Sequence, residues 1–218
     1  ESDKGFEMIT FSQETADLEA SHASILPFTR NAFDPMDFTP TVFHEIPNIE
    51  RKTSNGFQLA LPIIFLSGIQ HIVETPEGMA TVPYFVKEFM RKVPARWDAV
   101  KFIDGYPGKS VVVARKAGDT WFVAGINGEQ QTKTLNLDLA FIGDKTGYVI
   151  EDDTQPRSFV KRPLSAADNV MKPDNSHTTI SQPALPTLRA ISALTMKIPE
   201  PIIDPITSNA PSSRLSDL

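Results

Sequence analysis

The side chains in this chain that could do chemistry are its carboxylates and its four histidines. There is no cysteine, which excludes thiolate nucleophiles, disulfides and cysteine-ligated zinc or iron–sulfur centres. Glu1, Glu7 and Glu14 are the densest acidic feature of the first segment, and Gly5 frees the backbone between the first two. Composition alone leaves this set open between a carboxylate cluster and a solvated face. His22, beside Ser and Ala, reads as a loop hydrogen-bonder rather than a ligand. The stretch LPFTRNAFDPMDFTP follows at 26–40, placing Arg30, Asp34 and Asp37 among prolines and short apolar runs. Leu26–Phe28 reads as the end of a buried strand, Pro27 and Pro35 stop helix propagation, and the aspartates fall where the chain is irregular. That is the pattern of a strand running into an active-site loop, or of a proline-punctuated surface loop. No histidine pair stands at metal spacing, and there is neither a phosphate-cradling glycine motif nor an internal repeat.

Charge narrows the partners. The net charge of −6 arises from 27 acidic and 21 basic residues without a Lys/Arg run, which argues against nucleic acid and anionic membrane surfaces. No apolar run approaches the ~20 residues of a membrane-spanning helix, and the longest, Leu59–Leu66, contains Pro62. The sequence opens on Glu in a charged, irregular segment, which reads as a piece of something longer, so a missing leader carries no information.

The elements that must position these side chains divide into two kinds. Thr53 or Ser54 can cap a helix whose apolar residues Phe57, Leu61, Ile64 and Phe65 recur at spacings of three and four, with Gly68 as its C-cap and Pro62 as a kink. Ile69–Val73 reads as a short strand. Val82, Phe85, Val86, Phe89 and Met90 give a second amphipathic helix, closed by Pro94. From Arg96 the period changes to two, the sign of a domain boundary. Strands are expected over 99–103, 110–116, 120–126, 134–139, 147–151, 157–161, 177–180 and 188–196, separated by Gly, Pro, Asn and Asp turns. Leu135, Leu137 and Leu139 would share a buried face. Short strands with tight turns predict an antiparallel sandwich or barrel-like sheet. Trp121 reads as core rather than as a sugar-stacking platform, and Trp97 as packing at the junction. The proline-rich tail from Pro199 reads as extended or disordered.

Four blocks in order give the chain a family likeness: ESDKGFE at 1–7, ILPFTRNAFDPMDFTP at 25–40, LSGIQHIVETPE at 66–77, and VPARWDAVKFIDGYPGKSVVVARKAGDTWFVAGING at 93–128. Together they resemble the C-terminal part of glycoside hydrolase family 97, the group of α-glucosidases and α-galactosidases. The resemblance covers about residues 1–140 and implies an α/β region followed by an all-β one. Residues 1–92 would be the last part of a (β/α)8 catalytic barrel, 93–198 a small antiparallel β-sandwich-like domain, and 199–218 a disordered tail.

By the same resemblance, Glu7 is the general acid that protonates the leaving glycosidic oxygen, and Glu1 is a Ca²⁺ ligand, with Glu7 close to that ion. A hard Ca²⁺ favours carboxylate oxygens, and glycoside hydrolysis needs a proton donor beside the scissile bond. Arg30 and Asp37 match the PFTR and MDFTP positions and would wall the sugar pocket, while His22 could hydrogen-bond a sugar hydroxyl. Met8 replaces the aromatic usual after the acid, 9–20 is diverged, and Pro183 and Pro186 replace a glycine-rich turn. The implied substrate is an α-linked oligosaccharide or an α-galactoside, and the implied location periplasmic or secreted. The second catalytic carboxylate lies upstream in this family, so the isolated chain is expected to be inactive. The alternative is a non-catalytic β module for oligomerisation, as a homo-oligomer, or for carbohydrate binding.

Overall fold

A computed structural model describes residues 3–4, 12–39, 42–135, 137–143, 146–155, 157–164 and 191–192. The chain starts with a two-residue strand, β1 (Asp3–Lys4), followed by α1 (Gln13–Asp17) and α2 (Glu19–Ile25). Ser12 caps α1 by accepting from the Thr15 N–H at 3.2 Å. These two helices occupy a segment whose composition reads as irregular, because their apolar contacts are mostly with small residues such as Ala16 and Ala23.

Leu26–Phe28 is a 3₁₀ turn continuing from α2, not a strand end. Pro27 stands in its first turn, where a missing N–H costs nothing, so proline redirects the helix without forcing an extended chain. A short α3 (Arg30–Phe33) follows, and the strand of this stretch comes later, as β2 (Asp37–Phe38). β2 pairs in parallel with β1, Asp3 opposite Asp37 and Lys4 opposite Phe38. Of the strand expected over 69–73, only Gln70 forms a bridge, again parallel and to Phe38.

Between β2 and Gln70 lies α4 (Asn55–Ile64), capped by Ser54, which accepts from the Phe57 N–H at 3.1 Å. It ends earlier than expected. Phe65 turns extended at φ −91°, ψ 138°, and Gly68 sits beyond the helix rather than capping it. Val82 stands before Pro83 as the C-cap of a separate short helix, α5 (Pro76–Thr81), while the second amphipathic segment forms α6 (Tyr84–Lys92), which holds Phe85, Val86, Phe89 and Met90.

Among the described residues the rest is one antiparallel sheet, which agrees with the expected all-β region, and no second sheet faces it among those residues. Its strands are β3 (Ala99–Tyr106), β4 (Ser110–Ala117), β5 (Thr120–Asn127), β6 (Tyr148–Asp152), β7 (Phe159–Pro163) and β8 (Ile191–Ser192), in the order β3-β4-β5-β8-β6-β7. β3 runs past Ile103 through a bulge between Phe102 and Asp104. Gly105 makes this feasible: its φ is +146°, and a Cβ there would stand 2.4 Å from the Ser110 carbonyl oxygen. β7 starts later than the pattern suggests because Arg157 adopts φ 56°, a turn conformation.

α4 covers one face of the sheet, where Val111, Val113, Phe122, Ala124 and Ile150 join a core with Phe57, Leu61 and Ile64. The opposite face, Val112, Ala114, Val123 and Val149, is covered by Leu137, Leu139 and Ile142. So the expected strand over 134–139 is not in the sheet. Its described residues carry no ladder, and its leucines satisfy a period of two by lying across a face instead. β4 is thus buried on both sides, although antiparallel sheets commonly leave one face to water. Trp97 packs edge-on against Phe122 at 5.3 Å, at the seam between helices and sheet, and Trp121 against Phe141 at 5.0 Å on the outer face. The expected strand at 177–180, most of 188–196 and the tail from Pro199 lie outside the described residues.

Candidate functional site

The parallel pairings set the geometry of any site. β1, β2 and Gln70 point the same way, so their C-terminal ends lie together. Phe38 is buried against Phe65, ring centroids 4.8 Å apart, on the side of α4. Its neighbour Asp37 therefore faces away from the helices, and it is exposed.

Arg30 lies in α3 and bonds to the backbone that leads into β2. Its guanidinium donates to the carbonyl oxygens of Asp34 at 3.3 Å and Pro35 at 3.1 Å, immediately before β2. That is the N-terminal end of the strand, whereas barrel sites form at C-terminal ends. Next to it Asn31 donates to the Leu66 carbonyl at 2.8 Å and accepts from the Leu66 N–H at 2.6 Å. Arg30 and Asn31 together tie the start of β2 to the exit of α4. His22 lies in α2, half-buried. The three residues thus occupy three separate elements. Glu1 and Glu7 lie outside the described residues.

At the C-terminal ends a pair emerges that the sequence did not single out. Glu74, the fourth residue after Gln70, has a fully buried side chain. Its carboxylate accepts from the Phe43 N–H at 2.5 Å, the His44 N–H at 3.1 Å, the Thr75 N–H at 2.9 Å and the His44 Nδ1. Gly78 closes over the pair, since a Cβ there would stand 2.0 Å from Glu74 Oε1 and 2.8 Å from His44 Nδ1. One buried carboxylate thereby fixes the loop after β2 to the start of α5.

A second buried network joins α2 to α4 and to the loop that precedes it. Glu19, 2% exposed, accepts from Thr53 Oγ1 at 2.7 Å and Gln58 Nε2 at 2.6 Å. Arg51 donates to the carbonyls of Thr53 at 2.7 Å, Ser54 at 3.0 Å and Phe43 at 3.3 Å, and to Asn55 Oδ1. Burial pushes its pKa down to about 10 against the pull of the Glu19 carboxylate, with nearby Arg157 pushing the same way, so Arg51 stays charged at neutral pH.

Both ends of α4 are held by charged side chains of the sheet. At the N-terminus the Gly56 N–H donates to Asp152 Oδ1 at 2.6 Å. At the C-terminus Arg115 donates from Nε to the Ile63 carbonyl at 2.6 Å and from Nη2 to the Ile64 carbonyl at 3.2 Å. A carboxylate at the positive end and a guanidinium at the negative end both suit the helix dipole. Burial lowers the Arg115 pKa to about 10, which leaves it protonated at neutral pH. Arg115 had a readable signal, because it shares strand phase with the buried Val111 and Val113.

Among the described residues no group of three or more His, Asp or Glu gathers to hold a metal. No described helix is long and apolar enough to cross a membrane.

Residues 96–179 match the domain described as "Glycosyl-hydrolase 97 C-terminal, oligomerisation". The chain is similar to the C-terminal portion of family 97 glycoside hydrolases. A probable retaining α-galactosidase of Streptomyces bingchenggensis is 41% identical over 106 residues, 49% of this chain and 16% of the relative. A retaining α-galactosidase of Bacteroides thetaiotaomicron is 29% identical over 151 residues, 65% of this chain and 22% of the relative. The chain thus spans less than a quarter of either relative's length. Among solved structures, a β-arabinopyranosidase superposes with a TM-score of 0.68 at 33% identity, over 73% of this chain and 26% of that one. A family 97 enzyme from Pseudoalteromonas sp. strain K8 in complex with panose gives 0.59 at 25% identity, over 81% of this chain and 29% of that one. Strands β3 to β7 lie within the residues that match that domain.

Proposed function

We propose that this chain is the C-terminal part of an exo-acting α-glycosidase, with residues 1–92 closing a (β/α)8 barrel and 93–198 forming its β domain. The observation that carries the reading is the parallel set β1, β2 and Gln70, separated by helical crossovers, with Phe38 turned to the helices and Asp37 away from them. Successive barrel strands have this relation, and barrel sites lie at their C-terminal ends. Glu7 is the third residue after Lys4 and so follows β1 on that side in sequence.

Glu7 is proposed as the general acid and Asp37 as a wall of the sugar pocket. His22 remains a weaker hydroxyl-binding proposal, and Arg30 serves the base of β2 rather than the sugar. Glu1 and Glu7 suit a Ca²⁺ by their hard oxygen donors. When bound, the ion would supply positive charge near the reacting centre, and chelation of the full-length enzyme should lower activity until calcium is restored. The substrate proposed first is an α-galactoside, supported by the names of both curated relatives. The likeness to a β-arabinopyranosidase fits that preference: a β-L-arabinopyranoside has the ring configuration of an α-D-galactoside without its hydroxymethyl group. A retaining course and a periplasmic or secreted location complete the proposal.

The test is Glu7→Gln in the full-length protein. Loss of a general acid should cost about 10²–10⁴-fold on a galactosyl disaccharide, and much less on a p-nitrophenyl galactoside, whose leaving group needs little protonation. Equal losses on both substrates would sink the assignment of Glu7 as acid. A second role is supported by the description of the matched domain: the β domain assembles copies of the protein.

A further inference from the structure

Among the described residues the six-stranded sheet has two open edges, and they are guarded differently. β7 ends in Lys161, Arg162 and Pro163, and charges together with a missing N–H discourage another strand from adding there. β3 has no proline, and over Ala99–Phe102 it keeps regular register with β4, its bulge falling only beyond Phe102. The lysine on that half does not guard it in the same way. Lys101 belongs to the outer face, where its Nζ lies 4.2 Å above the Phe141 ring.

Val100 and Phe102 pair with Arg115 and Val113, which places them on the face that carries α4. The helix does not reach them: they are 61% and 54% exposed. Beside them lies a groove of about 260 Å³ walled by Pro27, Phe28 and Ala32 and floored by Val111 and Val113. Phe28 meets Phe102 edge-to-face at 5.7 Å, so the wall and the strand are one continuous apolar surface. Large exposed side chains along an open strand edge are a liability unless something covers them.

We infer that this edge, β3 together with the groove beside it, is the surface on which a second copy of the chain docks. The inference rests on the oligomerisation reading, since β3 lies inside residues 96–179, whose family description is assembly. A second copy is the occupant that fits that description, and the one charge between Ala99 and Phe102, Lys101, lies on the outer face over Phe141 rather than on the face of the groove.

The experiment is sedimentation equilibrium on the 218-residue chain and on the full-length protein that carries it. Wild type should be a concentration-dependent oligomer in both. Val100→Lys and Ala32→Lys should each raise the dissociation constant at least about tenfold, or about 1.4 kcal/mol. Tyr84→Lys, at an exposed position on α6 outside the groove, should leave it unchanged. Hydrogen exchange should show β3 amides gaining protection as concentration rises. Thermal melts check folding, and if Val100→Lys melts early, Ala32→Lys on exposed α3 carries the test. A monomeric wild type would overturn the oligomerisation reading and the inference together. An oligomer untouched by both variants, or one seen only in the 218-residue chain, would overturn the inference and leave that reading standing.

Discussion

Replacing Arg115 by methionine tests how the helices are fastened to the sheet. Methionine fills much of the same volume but leaves the Ile63 and Ile64 carbonyls without their guanidinium. Two charge-assisted hydrogen bonds at about 1.5–3 kcal/mol each amount to roughly 3–6 kcal/mol. Against this stands the cost of burying the charge. The guanidinium pKa falls from 12.5 to about 10, which at 1.36 kcal/mol per unit is about 3 kcal/mol relieved on substitution. The balance, roughly 0–3 kcal/mol, predicts that Arg115→Met destabilises the fold by about 1 kcal/mol. Urea unfolding followed by far-UV circular dichroism measures it, and Trp97 fluorescence reports on the seam, since that indole packs on Phe122. A variant as stable as wild type, or more stable, would refute the assignment of Arg115 as the cap that holds α4. Asp152→Asn at the other end of α4 should add to it almost independently, because the seven to eight residues from Gly56 to Ile63 and Ile64 keep the two sites about 11 Å apart.

Other substitutions probe the remaining contacts. Gly56→Ala should destabilise by roughly 1 kcal/mol although alanine favours helices, because its Cβ would meet Asp152 Oδ1 at 2.9 Å; a melting temperature above wild type would contradict this. Glu19→Ala strips partners from Thr53 and Gln58 and removes the nearest counter-charge to Arg51, so a loss of about 3 kcal/mol is expected in the same urea assay. Gly78→Ala should displace the Glu74–His44 pair, visible as a shifted His44 imidazole resonance with the sheet's methyl spectrum preserved.

The sheet was readable wherever two neighbouring signals agreed. β4 and β5 combine valine-rich runs with the Ala117-Gly118-Asp119 turn, and both appear within a residue of their expected limits. The pattern misled where one periodicity has two physical realisations. Leu135, Leu137 and Leu139 alternate as a strand would, yet alternation only requires one buried side, which a segment lying across a sheet face also provides. Pro27 misled for a related reason, since proline stops a helix only when it stands beyond the first turn. At the site, Asp37 is exposed on the side away from the helices, whereas Arg30 serves the backbone before β2, a use of arginine that its residue type does not disclose. The Glu74–His44 pair was invisible because its partners stand thirty residues apart and most of the carboxylate's bonds go to backbone N–H groups, which carry no sequence signature.

The double fastening of α4 bears on how this region can be exchanged between proteins. By sequence pattern the β domain starts near residue 93, and an exchange at that point would seem natural. Yet the sheet's inner valines, Arg115 and Asp152 all have their partners on a helix some thirty residues earlier. A protein that acquired the sheet without α4 would inherit an uncovered apolar face and a buried Arg115 guanidinium stripped of its two carbonyl partners. The unit of inheritance is therefore helix plus sheet, and a recombination point that respects it lies before Ser54 rather than after Lys92.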